Sequence, residues 1–208
     1  MKPYLRYYCL IESPFVTLAG FGLLIMASSR LAFALTTLGA LVWVYGLSML
    51  LAFITQKFLS QRGKTITFLF LTSFIAGIFL LLLFLVNPLL AMRTQYLIIL
   101  IPVVCVGSNL PKSFQKMLRT EVCVRALFEA FSLGLLIVAF ALVREPFGYM
   151  TLSLPGGTWG IIELGYDWNF VIPMQVVSSS AGAFILLGYA TALFQSIRKA
   201  YLKTKERL

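Results

Sequence analysis

The chain has 208 residues, 60% of them hydrophobic and 12% charged, with a formal net charge of +10. A chain this apolar is not a water-soluble domain, and its basic residues fall in the gaps between long apolar runs, a topological pattern that argues against nucleic acid as a partner. With no histidine and only Cys9, Cys105 and Cys123 as cysteines, the chain lacks the residues for a His-based metal site, a His-dependent catalytic triad or a disulfide framework.

The N-terminal stretch carries Glu12 and has no short apolar core followed by a small-residue cleavage site. The first apolar segment is therefore expected to stay in the mature protein. With charges taken as boundaries, the sequence predicts six membrane spans, at about 13–29, 31–56, 65–92, 94–111, 126–143 and 169–197. The first and fourth reach only about 26 Å as ideal helices, under the thickness of the hydrocarbon layer. Pro14, Gly20 and Gly22 interrupt the first, and Pro102, Gly107 and Pro111 the fourth. Such residues serve either as close-packing positions between neighbouring helices or as breaks that line a site. Their recurrence at the head of each half favours two broken helices whose interruptions meet near the bilayer midplane.

Fourteen of the seventeen Lys and Arg residues fall on one side of a six-span topology: at the N-terminus, in the second and fourth loops and at the C-terminus. Arg30, Arg93 and Arg144 remain on the other side, so both termini are expected in the cytoplasm. Three spans per half turn the second half upside down. The expected fold is an all-α integral membrane protein forming one membrane domain over 1–208. Its six transmembrane helices make two inverted three-helix repeats, about 1–92 and about 93–208, with short broken first and fourth helices.

Four positions stand out in chain order. Cys105 lies in the fourth span between Pro102 and Gly107, either a small packed hydrophobe or a ligand completed by a second subunit. Glu129 is the acidic residue set inside an apolar run, and one turn from Arg125 it reads either as an i, i+4 pair at headgroup level or as a proton or sodium site. Arg144 and Glu145 end the fifth span, where they either pair with charges on neighbouring elements or sit solvated at the interface, the solvated arrangement being the cheaper. The loop from Arg144 to Trp168 also holds Glu163, Asp167 and Gly156-Gly157. It reads as an ordered re-entrant or lid-like loop, or as an interfacial loop anchored by Trp159 and Trp168.

Taken together, Ser13-Pro14 in a short first span, the mirrored fourth-span segment Ile-Pro-Val-Val-Cys-Val-Gly at 101–107, the basic fourth loop and the segment Arg-Glu-x-x-Gly-x-x-Thr-Leu at 144–152 form a pattern. It resembles the six-helix membrane subunits of the Rnf/Nqr family, of RnfA/RnfE and NqrD/NqrE type, with the orientation of RnfE and NqrD. The resemblance covers most of the chain. It implies an integral membrane subunit of an ion-translocating (Na+ or H+) electron-transport complex in the cell's inner (cytoplasmic) membrane. Such a subunit is not catalytic alone; it pairs with a homologous six-helix subunit and helps carry electrons across the membrane at their interface. It also implies a shared [2Fe–2S] cluster, toward which Cys105 is the carried-over ligand while Ser13 stands where the family has its other cysteine. The alternative is an inverted-repeat membrane carrier or scaffold subunit without redox activity, with Glu129, Arg144 and Glu145 as points on an ion path or as polar contacts.

Overall fold

The computed structural model describes residues 14–55, 64–107, 119–156, 160–165 and 175–205. Helices α1 (Pro14–Ala27), α2 (Leu31–Thr55) and α3 (Lys64–Val86) are followed by α4 (Pro88–Gly107) and α5 (Arg119–Tyr149). A hairpin of β1 (Thr151–Pro155) and β2 (Ile161–Gly165) comes next, then the single turn α6 (Gln175–Ser178) and α7 (Ser180–Lys205). Four helices are long and apolar enough to cross a membrane, at Leu31–Ala52, Ile66–Val86, Pro88–Val106 and Ala126–Tyr149, and Ser180–Ala192 is a shorter apolar stretch. The protein is therefore a membrane protein by the length and composition of its helices.

The third helix ends six residues before the predicted boundary, for a local reason. Pro88 has no N–H and disfavours the helical conformation in the residue before it, so the chain steps out of the helix at Asn87 and restarts. The amide N–H of Asn87 still closes the last turn of α3 on the Leu83 carbonyl (2.8 Å), and its side-chain oxygen accepts from Leu90 N–H (3.2 Å). This is an N-cap with Pro at the first helical position. As a result α4 runs for 20 unbroken residues through Pro102, about 30 Å, in place of the short broken span expected there. Helix α1 is short, at 14 residues, but is also continuous through Gly20 and Gly22.

Helix α2 is central and packs on α3, α4 and α5. Leu41, Val44 and Met49 of α2, Leu97 and Ile101 of α4 and Ile137 of α5 are fully buried. Outward faces carry Phe70, Phe74, Leu81 and Leu85 on α3 and Phe128, Phe131 and Leu135 on α5, the apolar exterior that lipid requires. Hydroxyls buried among these helices bond back to their own helix: Thr37 to Phe33 O, Ser48 to Tyr45 O, Thr72 to Phe68 O and Thr94 to Leu90 O. Each hydroxyl proton is thus satisfied within its own helix.

Helices α2 and α5 pack tightly at Gly134, where an added Cβ would sit 2.9 Å from Leu38 Cγ. Gly134→Ala is expected to cost about 1–3 kcal/mol through overpacking. An SDS-unfolding titration of the purified chain checks this, and an unchanged midpoint would mean that Leu38 swings clear.

Candidate functional site

The α1–α2 turn, the α3–α4 junction, the end of α5, the hairpin and α6 meet at one end of the bundle. Arg144 and Glu145 lie at the centre of that junction, 1% and 0% exposed, which corrects the solvated pair expected from sequence. The reason is convergence: three chain segments with unpaired backbone groups close over the two side chains, and each side chain supplies what those segments lack.

Arg144 donates from all three guanidinium nitrogens to five oxygens. Its Nη1 bonds Ile25 O (2.8 Å) at the end of α1 and Ser28 Oγ (2.7 Å) in the following turn. Its Nε bonds Val177 O (3.1 Å), and Nη2 bonds Ser178 O (2.8 Å) and Ser179 O (3.0 Å), where α6 gives way to α7. A guanidinium has five N–H donors in a fixed fork, and here every one has an acceptor. The carbonyls at a helix end carry partial negative charge, so the cation is compensated by oriented dipoles.

Glu145 serves the opposite pole. Its Oε2 accepts from Leu31 N–H (2.7 Å), the first amide of α2, and Ser153 Oγ of β1 accepts from Ala32 N–H (3.1 Å), the second. The α2 N-terminus is thus capped by side chains from α5 and from the hairpin. The other carboxylate oxygen of Glu145, Oε1, is buried and has no hydrogen-bond partner among the described residues.

The hairpin is tied down at three further points. Arg30, in the α1–α2 turn just before α2, pairs with Glu163 of β2 and lies 5.3 Å from the centre of the Tyr149 ring. Asn87 Nδ2 donates to Gly160 O (3.4 Å), and Gly160 sits so close to the α3–α4 junction that a Cβ there would lie 2.9 Å from Leu90 N. Ile161 packs with Ala32 and Leu90. At the end of α5, Gly148 abuts α6, where a Cβ would lie 3.1 Å from the Ser178 backbone. Met150 ends the helix in the left-handed conformation (φ 55°).

The other candidates lie toward the opposite end. Cys105 is fully buried about 26 Å along α4 from Pro88, hydrogen-bonded to Ser48 of α2 and within electrostatic range of Glu129. Glu129 is half-buried on α5. Ser13, Cys9, Trp159, Asp167, Trp168 and the side chain of Arg125 lie outside the described residues, and with them the Ser13–Cys105 approach and the Arg125–Glu129 pair. Among the described residues no group of three His, Cys, Asp or Glu side chains is placed to hold a metal, and Cys105 is the one fully buried thiol. One thiol is a fraction of an iron–sulfur ligand set, and the remaining ligands would have to come from outside the described residues.

Sequence reasoning missed Ser28, Ser153, Gly148 and the Arg30–Glu163 pair as parts of the junction. Asn87-Pro88 carried a readable capping signal, and the Leu-Ser-Leu alternation at 152–154 carried a strand signal. Neither a protein-family model nor a curated protein sequence matches the chain.

Proposed function

We propose that this chain is an integral membrane subunit of an ion-translocating electron-transport complex of Rnf/Nqr type. In this reading its six spans form two inverted repeats in the cytoplasmic membrane, both termini are cytoplasmic, and the hairpin end faces outward. The observation that carries the reading is the fit between the resemblance and the junction. In the segment Arg-Glu-x-x-Gly-x-x-Thr-Leu, Arg144 and Glu145 are the buried clamp and cap, and Gly148 is the close contact with Ser178. Thr151 and Leu152 open β1, opposite Gly165 and Leu164. The residues that define the segment are thus those that close this end of the bundle.

In such a complex, Cys105 is the ligand this chain brings to a shared [2Fe–2S] cluster, with Ser13 at the other position and the partner supplying the remaining thiolates. A carrier or scaffold subunit without redox activity is the second reading, favoured by the sealed environment of Cys105 and its single thiol. Purification from native membranes in mild detergent separates the two. The first reading expects a second six-span subunit and flavin- or ferredoxin-type subunits to co-purify, with iron in stoichiometric amount. Recovery of an iron-free chain without such partners would leave the carrier or scaffold.

A further inference from the structure

We propose that Glu145 is a proton-binding site at the hairpin end, with Oε1 as the atom that takes up the proton while Oε2 holds the cap on α2. The proposal deepens the reading above by naming the ion that acts at this junction, and its physiological role rests on that reading. The site itself stands on geometry.

An ionised carboxylate presents two oxygens, each needing donors when buried. In Glu145 one oxygen has the Leu31 amide and the other has nothing among the described residues, although the side chain is completely buried. The neighbouring N–H donors are spent. Ala32 N–H is bonded to Ser153, and Arg144, next in sequence, has all five of its N–H groups on other oxygens. The orphan oxygen is therefore answered from outside this network, and the smallest species that does so is a proton, which also removes the buried charge.

A metal cation fits less well. Sodium needs several oxygens, and the five clustered at this junction already surround the guanidinium of Arg144. The elements packed on this part of α5 are α1, α2, β1 and α6, and not one of them carries a Lys, Arg, Asp or Glu. Among the described residues, the charged and titratable groups around Glu145 are then Arg144 and Tyr149 on its own helix, Arg30 in the α1–α2 turn and Glu163 on β2. Arg30 and Glu163 are paired with each other. Among the described residues at this junction, Glu145 is the acid without a cationic partner in hydrogen-bond contact.

Proton uptake has a mechanical consequence. Neutralising the carboxyl turns a charge-assisted bond to Leu31 into an ordinary one, which weakens the cap where α2, α5 and the hairpin meet. Proton occupancy is thereby linked to how tightly this end of the bundle closes.

The test uses the full chain in lipid nanodiscs and N,N′-dicyclohexylcarbodiimide, which attacks protonated carboxyls in apolar surroundings, with modified residues read by peptide mass spectrometry. Glu145 is expected to be labelled, to lose label as the pH is raised, and to react equally in sodium and potassium. Glu145→Gln, whose amide oxygen still accepts from Leu31 N–H, should abolish that label. Three results overturn the proposal: no labelling of Glu145 at any pH while exposed Glu163 reacts with a water-soluble carbodiimide, labelling indifferent to pH, or protection by sodium but not potassium. None of them bears on co-purification with electron-transport subunits, so this site and the reading of the complex fail separately.

Discussion

Arg144→Ala is expected to be the most damaging single substitution in the chain, lowering stability by about 3–5 kcal/mol. The guanidinium is fully buried, and its removal strands acceptors on two separate segments. Ile25 O and Ser28 Oγ lose their link to α5, and the carbonyls of Val177, Ser178 and Ser179 lose a donor where α6 meets α7. Each stranded acceptor costs about 1–3 kcal/mol when no water replaces the donor. Water entering the vacated space recovers part of this, which is why the total falls short of the sum. Arg144→Lys should recover a minority of the loss, because an ammonium has three donors on one atom and cannot span five oxygens on two segments. SDS-unfolding titrations of the three proteins in matched micelles give the comparison. If Arg144→Ala unfolds within about 0.5 kcal/mol of the parent, the range of an ordinary surface substitution, the clamp is not what holds this end together.

The same contacts show what could be read in the sequence and what could not. Span α2 was placed almost to the residue, because its limits are set by the apolar run and by Arg30, both local signals. The end of α3 was missed by six residues because apolarity continues past Asn87-Pro88; a capping signature inside an apolar run is easily outvoted by hydropathy. That shift lengthened α4 and removed the broken fourth helix. The hairpin sequence reads as a Pro/Gly-rich loop, although Thr151–Pro155 alternates and Gly156 and Gly160 both take positive φ in the structure. Arg144 and Glu145 stand out in the sequence, where a solvated pair is the cheaper arrangement, and the structure buries both. A charged pair at a span end has the same local sequence whether it faces water or three converging helix ends, and only the long-range contacts to Ile25, Leu31 and Ser178 distinguish the two.

Gly182→Ala should produce the second large loss, about 3 kcal/mol, at the upper end of the usual overpacking range. Ser179 caps α7 with its hydroxyl oxygen, which accepts from Gly182 N–H (3.2 Å), while its own hydroxyl proton goes to Val176 O (2.6 Å). This fold brings α6 back over the first turn of α7 so closely that a Cβ at position 182 would collide with the Val176 carbonyl oxygen and lie 2.7 Å from Val177 Cα. Both obstacles are backbone atoms, so no side-chain rotation relieves them and the chain between 176 and 182 must move. That chain presents the carbonyls of Val177, Ser178 and Ser179 to Arg144, so the glycine and the arginine support one junction. Their losses should therefore not add. In the Arg144→Ala background, Gly182→Ala is expected to cost about 1–3 kcal/mol less than in the parent, the coupling typical of groups that share a network. A double-mutant cycle by SDS unfolding measures the difference directly. Additivity within about 0.5 kcal/mol would mean that the two residues act independently, and that the break at Ser179 is not shaped for the guanidinium.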